Sequence, residues 1–217
     1  MSAGVLYANS NIIMQGDAYL LTRKRIREMA AADTRDDVLK ILAECNYRTD
    51  LADDAALLAT ERTKTLDTFT QLCEDPALVT CVQAWDGVTE TTIKDAFATI
   101  ATHGPQIKSP SIREYFVTLA DLVNARTVAK GGHDLVAGGS MDAATLATQN
   151  PTDLQQRLDQ IALTDKDDIF KPNPLFWWYC QKQKELVVVK TILLYKRCHY
   201  DATLLRENLR GLYEQFK

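Results

Sequence analysis

Apolar residues recur at three- and four-residue intervals along most of this chain, the pattern of helices that bury one face. Val38, Leu39, Ile41 and Leu42 form one ladder, and Asp33-Thr34 just before it offers side-chain oxygens to cap a helix start. That helix is predicted to end near Asn46-Tyr47. A longer helix is predicted from about Leu51 to Cys73, closed by Pro76, with Ala77–Trp85 and Thr91–Thr102 following on either side of Gly87. His103-Gly104-Pro105 stops the last of these, because proline cannot continue a helix. Asn150-Pro151 and Asn173-Pro174 each pair a capping residue with a proline suited to a first helical turn. Asp201 is placed to cap a final helix with Leu204, Leu205, Leu209, Leu212 and Phe216 on one face. The run Leu186–Tyr195 (LVVVKTILLY) is β-branched and has strand propensity. Its continuity with Trp177–Lys184 favours a helix, and the predicted fold is all-α.

One helix pattern is written twice. Shifting residues 112–130 by sixty-four positions lays Tyr115 on Tyr179, Asp121 on Glu185, Leu122-Val123 on Leu186-Val187, and Arg126-Thr127-Val128 on Lys190-Thr191-Ile192. Ile112, Tyr115, Phe116, Leu119, Leu122, Val123 and Ala129 trace the buried face of the first copy. A duplicated helix with no catalytic residue set into it predicts a scaffold of similar units. The chain is expected to form a single all-α domain, 1–217, with approximate helical units 1–107 and 108–217.

At 217 residues, 46% apolar and 25% charged, the composition is that of an ordinary globular protein with enough chain to bury a core. No apolar run reaches the roughly 20 residues that span a bilayer. Met1–Leu21 lacks a basic start and a continuous apolar stretch, so no secretory leader is expected and the predicted location is cytoplasmic. Five cysteines at irregular spacing fit reduced, mostly buried thiols. Net charge is −4, but from Lys171 onward the balance is +5, leaving −9 on the remainder. Such a bipolar chain either orients against a charged partner or anionic surface, or simply presents solvated helix faces.

Sequence features that invite chemistry are thin. Gly131–Ser140 holds four glycines in ten residues, yet Gly139 stands where a phosphate loop needs lysine, and a helix precedes it where that loop needs a strand. His103, His133 and His199 are scattered, and Cys73 and Cys81 match no common zinc spacing, so no metal or other cofactor is expected. The acid pairs Asp36-Asp37, Asp53-Asp54 and Asp167-Asp168 have no second catalytic group, and no catalytic residue is assigned. Arg23-Lys24-Arg25-Arg27 has no interleaved aromatics in an acidic chain, which argues against nucleic acid. Trp177-Trp178-Tyr179 must serve two surfaces, either as core packing or as an aromatic anchor for a partner.

Taken in order, these segments resemble the C subunit of V-type and A-type rotary ATPases, the subunit d family of the eukaryotic enzyme. Tyr7-Ala8-Asn9 through Leu20-Leu21 is similar to the family's opening helix, and Asp33–Leu51, with Leu39, Leu42 and Tyr47, to the stretch after it. Ile112–Lys130 resembles a family helix through Tyr115, Asp121, Asn124 and Arg126. Gly138-Gly139-Ser140-Met141 resembles the turn before a short helix, and Pro174–Leu212, with Glu185 and Lys190, the C-terminal helix pair. Members are longer and built from three similar units; this chain holds about two, with the shortfall near Thr102–Ser111.

The resemblance implies a non-catalytic role in a funnel-like stack of helical units, shortened here. Such a socket sits on the cytoplasmic face of the membrane rotor ring, peripheral and not inserted. It receives the central stalk, so that ion transport is linked to ATP hydrolysis or synthesis. The implied partners are the central stalk subunits and the rotor ring. The residues assigned to partner contact are Asn124, Arg126, Lys130, Lys190, Arg197 and His199; Asp121 and Asn124 are equally suited to internal hydrogen bonding that fixes unit packing. The alternative is a general cytoplasmic helical adaptor whose groove takes a peptide helix. An enzyme with a pocket around His133, Asp134 and Ser140 is the third class.

Overall fold

The computed structural model describes Tyr7 and residues 20–213; in the last helix the side chains of Ala202, Arg206 and residues 210–213 lie outside the description. The opening segment between Tyr7 and Leu20, Leu212 as a core side chain, and Phe216 therefore fall outside the described part. Among the described residues there are ten α-helices and no strand. They are α1 (Arg23–Ala31), α2 (Arg35–Glu44), α3 (Asp54–Leu72), α4 (Pro76–Trp85) and α5 (Ile93–His103), then α6 (Pro110–Ala129), α7 (Ala143–Thr148), α8 (Pro151–Ala162), α9 (Asn173–Arg197) and α10 (Ala202–Tyr213). A single 3₁₀ turn, Gly104–Gln106, follows α5 where Pro105 interrupts the backbone bonding. No described helix is long and apolar enough to cross a membrane.

Helix starts follow local chemistry. Thr34 caps α2 by accepting the Asp37 amide at 3.2 Å, and Asn150 caps α8 by accepting that of Thr152 at 2.9 Å, with Pro151 in the first turn. Asp201 accepts the Thr203 amide at the start of α10. The β-branched run 186–195 lies inside the 25-residue α9, where burial against neighbouring helices overrides its strand propensity.

Packing divides the chain into two units that interleave along the sequence, whereas the expected halves met near residue 107. The first unit contains Tyr7 and residues 69–177; the second contains residues 20–68 and 178–213. The boundaries fall inside α3, after Thr68, and inside α9, after Trp177. Each helix is regular across its boundary, so the division is a matter of side-chain packing, which local periodicity does not encode.

In the first unit α6 packs against α7 and α8, and α4 against α5. Leu78, Phe97, Ile112, Phe116, Leu122 and Leu158 are buried, with Tyr115 and Phe176 edge-to-face at 5.0 Å. Buried Asp75 accepts the Ala77 and Leu78 amides at the start of α4, and its other oxygen takes the Lys108 amide at 2.8 Å, fastening the connector before α6. In the second unit Ile26, Met29, Val38, Leu42 and Leu57 close on Val188, Val189, Ile192 and Leu193 of α9 and on Leu205 and Leu209 of α10. Burying one such side chain contributes about 1.5–3 kcal/mol, against about 0–1 kcal/mol for an exposed ion pair such as Arg157–Glu114. Apolar packing therefore holds each unit, and the surface pairs add little.

Candidate partner-contact surface and the carboxylates behind it

The two copies of the repeated helix sit in different units, α6 in the first and the greater part of α9 in the second. Each carries a buried carboxylate at the matched position. Asp121, 2% exposed, accepts the Ser140 amide at 2.8 Å, the Ser140 hydroxyl at 2.8 Å and the Met141 amide at 3.1 Å. Met141 is the residue before Asp142, the cap of α7. Glu185, fully buried, accepts the Leu21 amide, and Leu21 is the residue before Thr22, the cap of α1. One device thus recurs: a mid-helix carboxylate takes the backbone N–H that leads into a capped helix.

The longer glutamate side chain gathers two further donors. The Tyr47 hydroxyl donates to Glu185 Oε1, and Lys182 Nζ, one helical turn earlier, meets the same oxygen. Lys182 also lies over the Tyr47 ring, 5.0 Å from its centroid. Burial, and then the neighbouring Glu185 charge, raise the Tyr47 phenol well above its ordinary pKa of 10.0, so it stays protonated and remains a donor. Tyr47 and Lys182 line a pocket of about 360 Å³ in the second unit, together with Thr22, Arg25, Glu44, Glu61, Lys64 and Thr65. Its charges of both signs are already engaged: Arg25 with Glu28 and Glu44, Lys64 with Glu61 at 3.6 Å, and Lys182 with Glu185. Nothing in that arrangement selects an anionic or a cationic ligand.

In the first unit the glycine stretch folds back onto α6. Asn124 donates to the Val136 carbonyl at 3.1 Å and accepts the Val136 amide at 2.7 Å. Gly138 has φ +90°, and a Cβ on Gly139 would stand 2.5 Å from Asp121 Oδ1, so the turn needs both glycines. Of the two roles open to Asn124, partner contact and internal hydrogen bonding, its geometry is that of the second: both ends of its amide are consumed inside the unit and it is 3% exposed. Asp121 serves the same internal purpose.

The remaining assigned positions are exposed. Arg126 donates to Gln155 of α8 at 3.1 Å, and Lys130 is the residue at the end of α6. Lys190 and Arg197 lie seven residues apart on α9 and so share one side of it. Arg197 Nη1 is 3.9 Å from Asp54 Oδ2, while Arg35 holds the other oxygen of Asp54 at 2.7 Å. His199 takes a left-handed conformation, φ +52°, just past α9, beside a smaller cavity that Lys196, Tyr195 and Ala30 also line. The structure thus keeps Lys190 and Arg197 together in the second unit and Arg126 and Lys130 together in the first.

Other expected features resolve simply. Trp178 and Tyr179 are buried, and Trp177 is half-buried with Lys166 over its ring at 5.8 Å. His133 and Asp134 lie in the exposed part of the glycine stretch, where Asp134 pairs with Lys94, and Ser140 is committed to Asp121. Among the described residues no group of three or more His, Cys, Asp or Glu side chains is placed to hold a metal. Sequence reasoning missed Lys182 and Leu21 as partners of Glu185. The three-residue spacing of Lys182 and Glu185 on one helix was the available signal; the Leu21 contact, 164 residues away, had none. No model of a known protein family matches the chain, and no curated protein matches its sequence.

Proposed function

We propose that this protein is a non-catalytic coupling subunit of a V/A-type rotary ATPase, peripheral on the cytoplasmic face of the membrane. In that role it links the central stalk to the rotor ring. The observation that carries the proposal is the repeated carboxylate device, Asp121 with Met141 and Glu185 with Leu21, because a scaffold of similar helical units would repeat such a joint. It agrees with the family resemblance in the very helices that carry Asp121, Arg126, Glu185 and Lys190. Torque is passed efficiently by densely packed helices, since cores compress little and transmit strain. Exposed cations, Arg126 in the first unit and Lys190 in the second, would each suit contact with a stalk that must also detach.

Co-purification of the tagged chain with rotary-ATPase subunits from its own organism, read by native mass, tests the proposal. Recovery with stalk subunits and ring at one copy per complex supports it; a solitary monomer under gentle conditions overturns it. Charge reversal at Arg126 and Lys190 together is expected to abolish stalk recovery while leaving the melting temperature intact, because both side chains are exposed. The second reading, a helical adaptor without rotary partners, is favoured by the exposed apolar residues Val187 and Leu194 on α9. Capture of other partners in place of the stalk would establish it.

A further inference from the structure

Val187, Lys190, Leu194 and Arg197 follow one another along α9 at spacings of three, four and three residues. That spacing puts them on one side of the helix, in a line about 15 Å long at 1.5 Å of rise per residue. Val187 is 49% and Leu194 38% exposed, and both cations are exposed. The other side of the same stretch is fully used: Leu186, Val188, Val189, Ile192 and Leu193 are in the core of the second unit. The outward valine and leucine are therefore only partly used by that core. Lone exposed apolar residues are ordinary, but two of them alternating in register with two cations form a pattern.

The charge of this line is single-signed. The only carboxylate in α9 is Glu185, which is buried and occupied by Tyr47, Lys182 and the Leu21 amide. The nearest acid to Arg197, Asp54, is held at shorter range by Arg35. We propose that this line is a docking ridge for an amphipathic helix of a partner protein, bearing carboxylates in register with Lys190 and Arg197 and apolar side chains against Val187 and Leu194. The matched register of α6 shows the geometry: Arg126, the counterpart of Lys190, donates to Gln155 of the neighbouring helix α8. A helix is favoured over a membrane surface because the ridge is one residue wide and has only two apolar side chains. Interfacial helices need a broad apolar face with bulky residues. The inference stands apart from the rotary proposal, since a helix of this chemistry can belong to any partner.

The test uses the full chain and two monomeric synthetic helices. One has leucines a heptad apart with a glutamate three residues after each; its twin has lysines in place of the glutamates. Binding is followed by fluorescence anisotropy. The glutamate helix is expected to bind, more weakly as salt rises, and the lysine twin at least about tenfold more weakly. K190E/R197E should reverse that preference with circular dichroism and melting unchanged, and V187S/L194S should weaken the glutamate helix by about tenfold or more with the helical circular dichroism retained. Exposed Cys198, beside Arg197, provides a readout on the unaltered chain: the bound glutamate helix should slow its reaction with a thiol reagent. Equal binding of the two helices, no binding, no protection of Cys198, or binding only to phosphatidylserine vesicles would each overturn the proposal.

Discussion

Asp121 and Glu185 occupy the same place in two different units, each holding the backbone N–H of the residue before a helix cap, Met141 in one and Leu21 in the other. Chain order differs between them. In the first unit the long helix α6 precedes the turn and α7. In the second, the turn and α1 come from the beginning of the described chain, and α9 from near its end. The same joint is thus made once by neighbours in sequence and once across 164 residues.

Losing either carboxylate should be costly, though not equally. Glu185→Ala leaves Lys182 buried without its partner and is expected to destabilise by about 3–5 kcal/mol. Asp121→Ala strands the Ser140 and Met141 amides and is expected to cost about 2–3 kcal/mol, the worth of hydrogen bonds to a charged group. Replacing both members of the buried pair, Lys182→Met with Glu185→Leu, should recover the part of the first loss that comes from the stranded lysine, while the Leu21 amide and Tyr47 hydroxyl remain unpaired. Urea unfolding of the three variants measures the order; a larger effect at Asp121 than at Glu185 would contradict it.

Gly139→Ala is predicted to destabilise by about 1–3 kcal/mol through overpacking, because the new methyl meets the Asp121 carboxylate at 2.5 Å. Gly87→Ala, where a Cβ has open space, faces only the penalty of a positive φ, +84°. That loss should be about 1 kcal/mol. Thermal melts of the pair separate steric from conformational cost. A Gly139 variant as stable as the Gly87 variant would show that the turn can move off α6.

Thiol chemistry should sort by burial. Burial raises Cys81 to about 12 and Cys73 to about 11, whereas Cys198 is exposed. A thiolate-selective reagent at pH 8 is expected to modify Cys198 first and to leave Cys73 and Cys81 untouched until the chain unfolds. Mass spectrometry of timed aliquots checks the order; early loss of Cys81 would mean that the first unit opens readily.

Alkaline pH should weaken the fold from about pH 10 upward. Tyr47 keeps its proton in the folded chain because burial, and then Glu185, raise its pKa; Tyr7 is raised too, first by its own burial. Above pH 10 the unfolded chain releases these protons and the folded chain does not. Stability is therefore fully present below the unfolded value and falls as pH rises through the window toward the folded one. Each tyrosine contributes a slope of about 1.4 kcal/mol per pH unit there. Tyr47→Phe should make the decline between pH 10 and 11 shallower in urea titrations; an unchanged slope would show that Tyr47 does not carry it.

The amino-acid sequence by itself determined the helices and most of their ends. The periodicity through α6 and α9, the caps at Thr34 and Asn150, and the stop at Pro105 act within one or two turns, where neighbouring residues settle the outcome. It also displayed the match of Asp121 with Glu185, since both copies keep the register of one helix face. Which groups those carboxylates would hold was decided by tertiary structure alone. Leu21 and Tyr47 reach Glu185 only after packing closes loops of 164 and 138 residues, and Asn124 turns inward only because the glycine stretch folds back to Val136. The interleaved units have the same origin: helix periodicity says which face is buried, and only the packed core says against what.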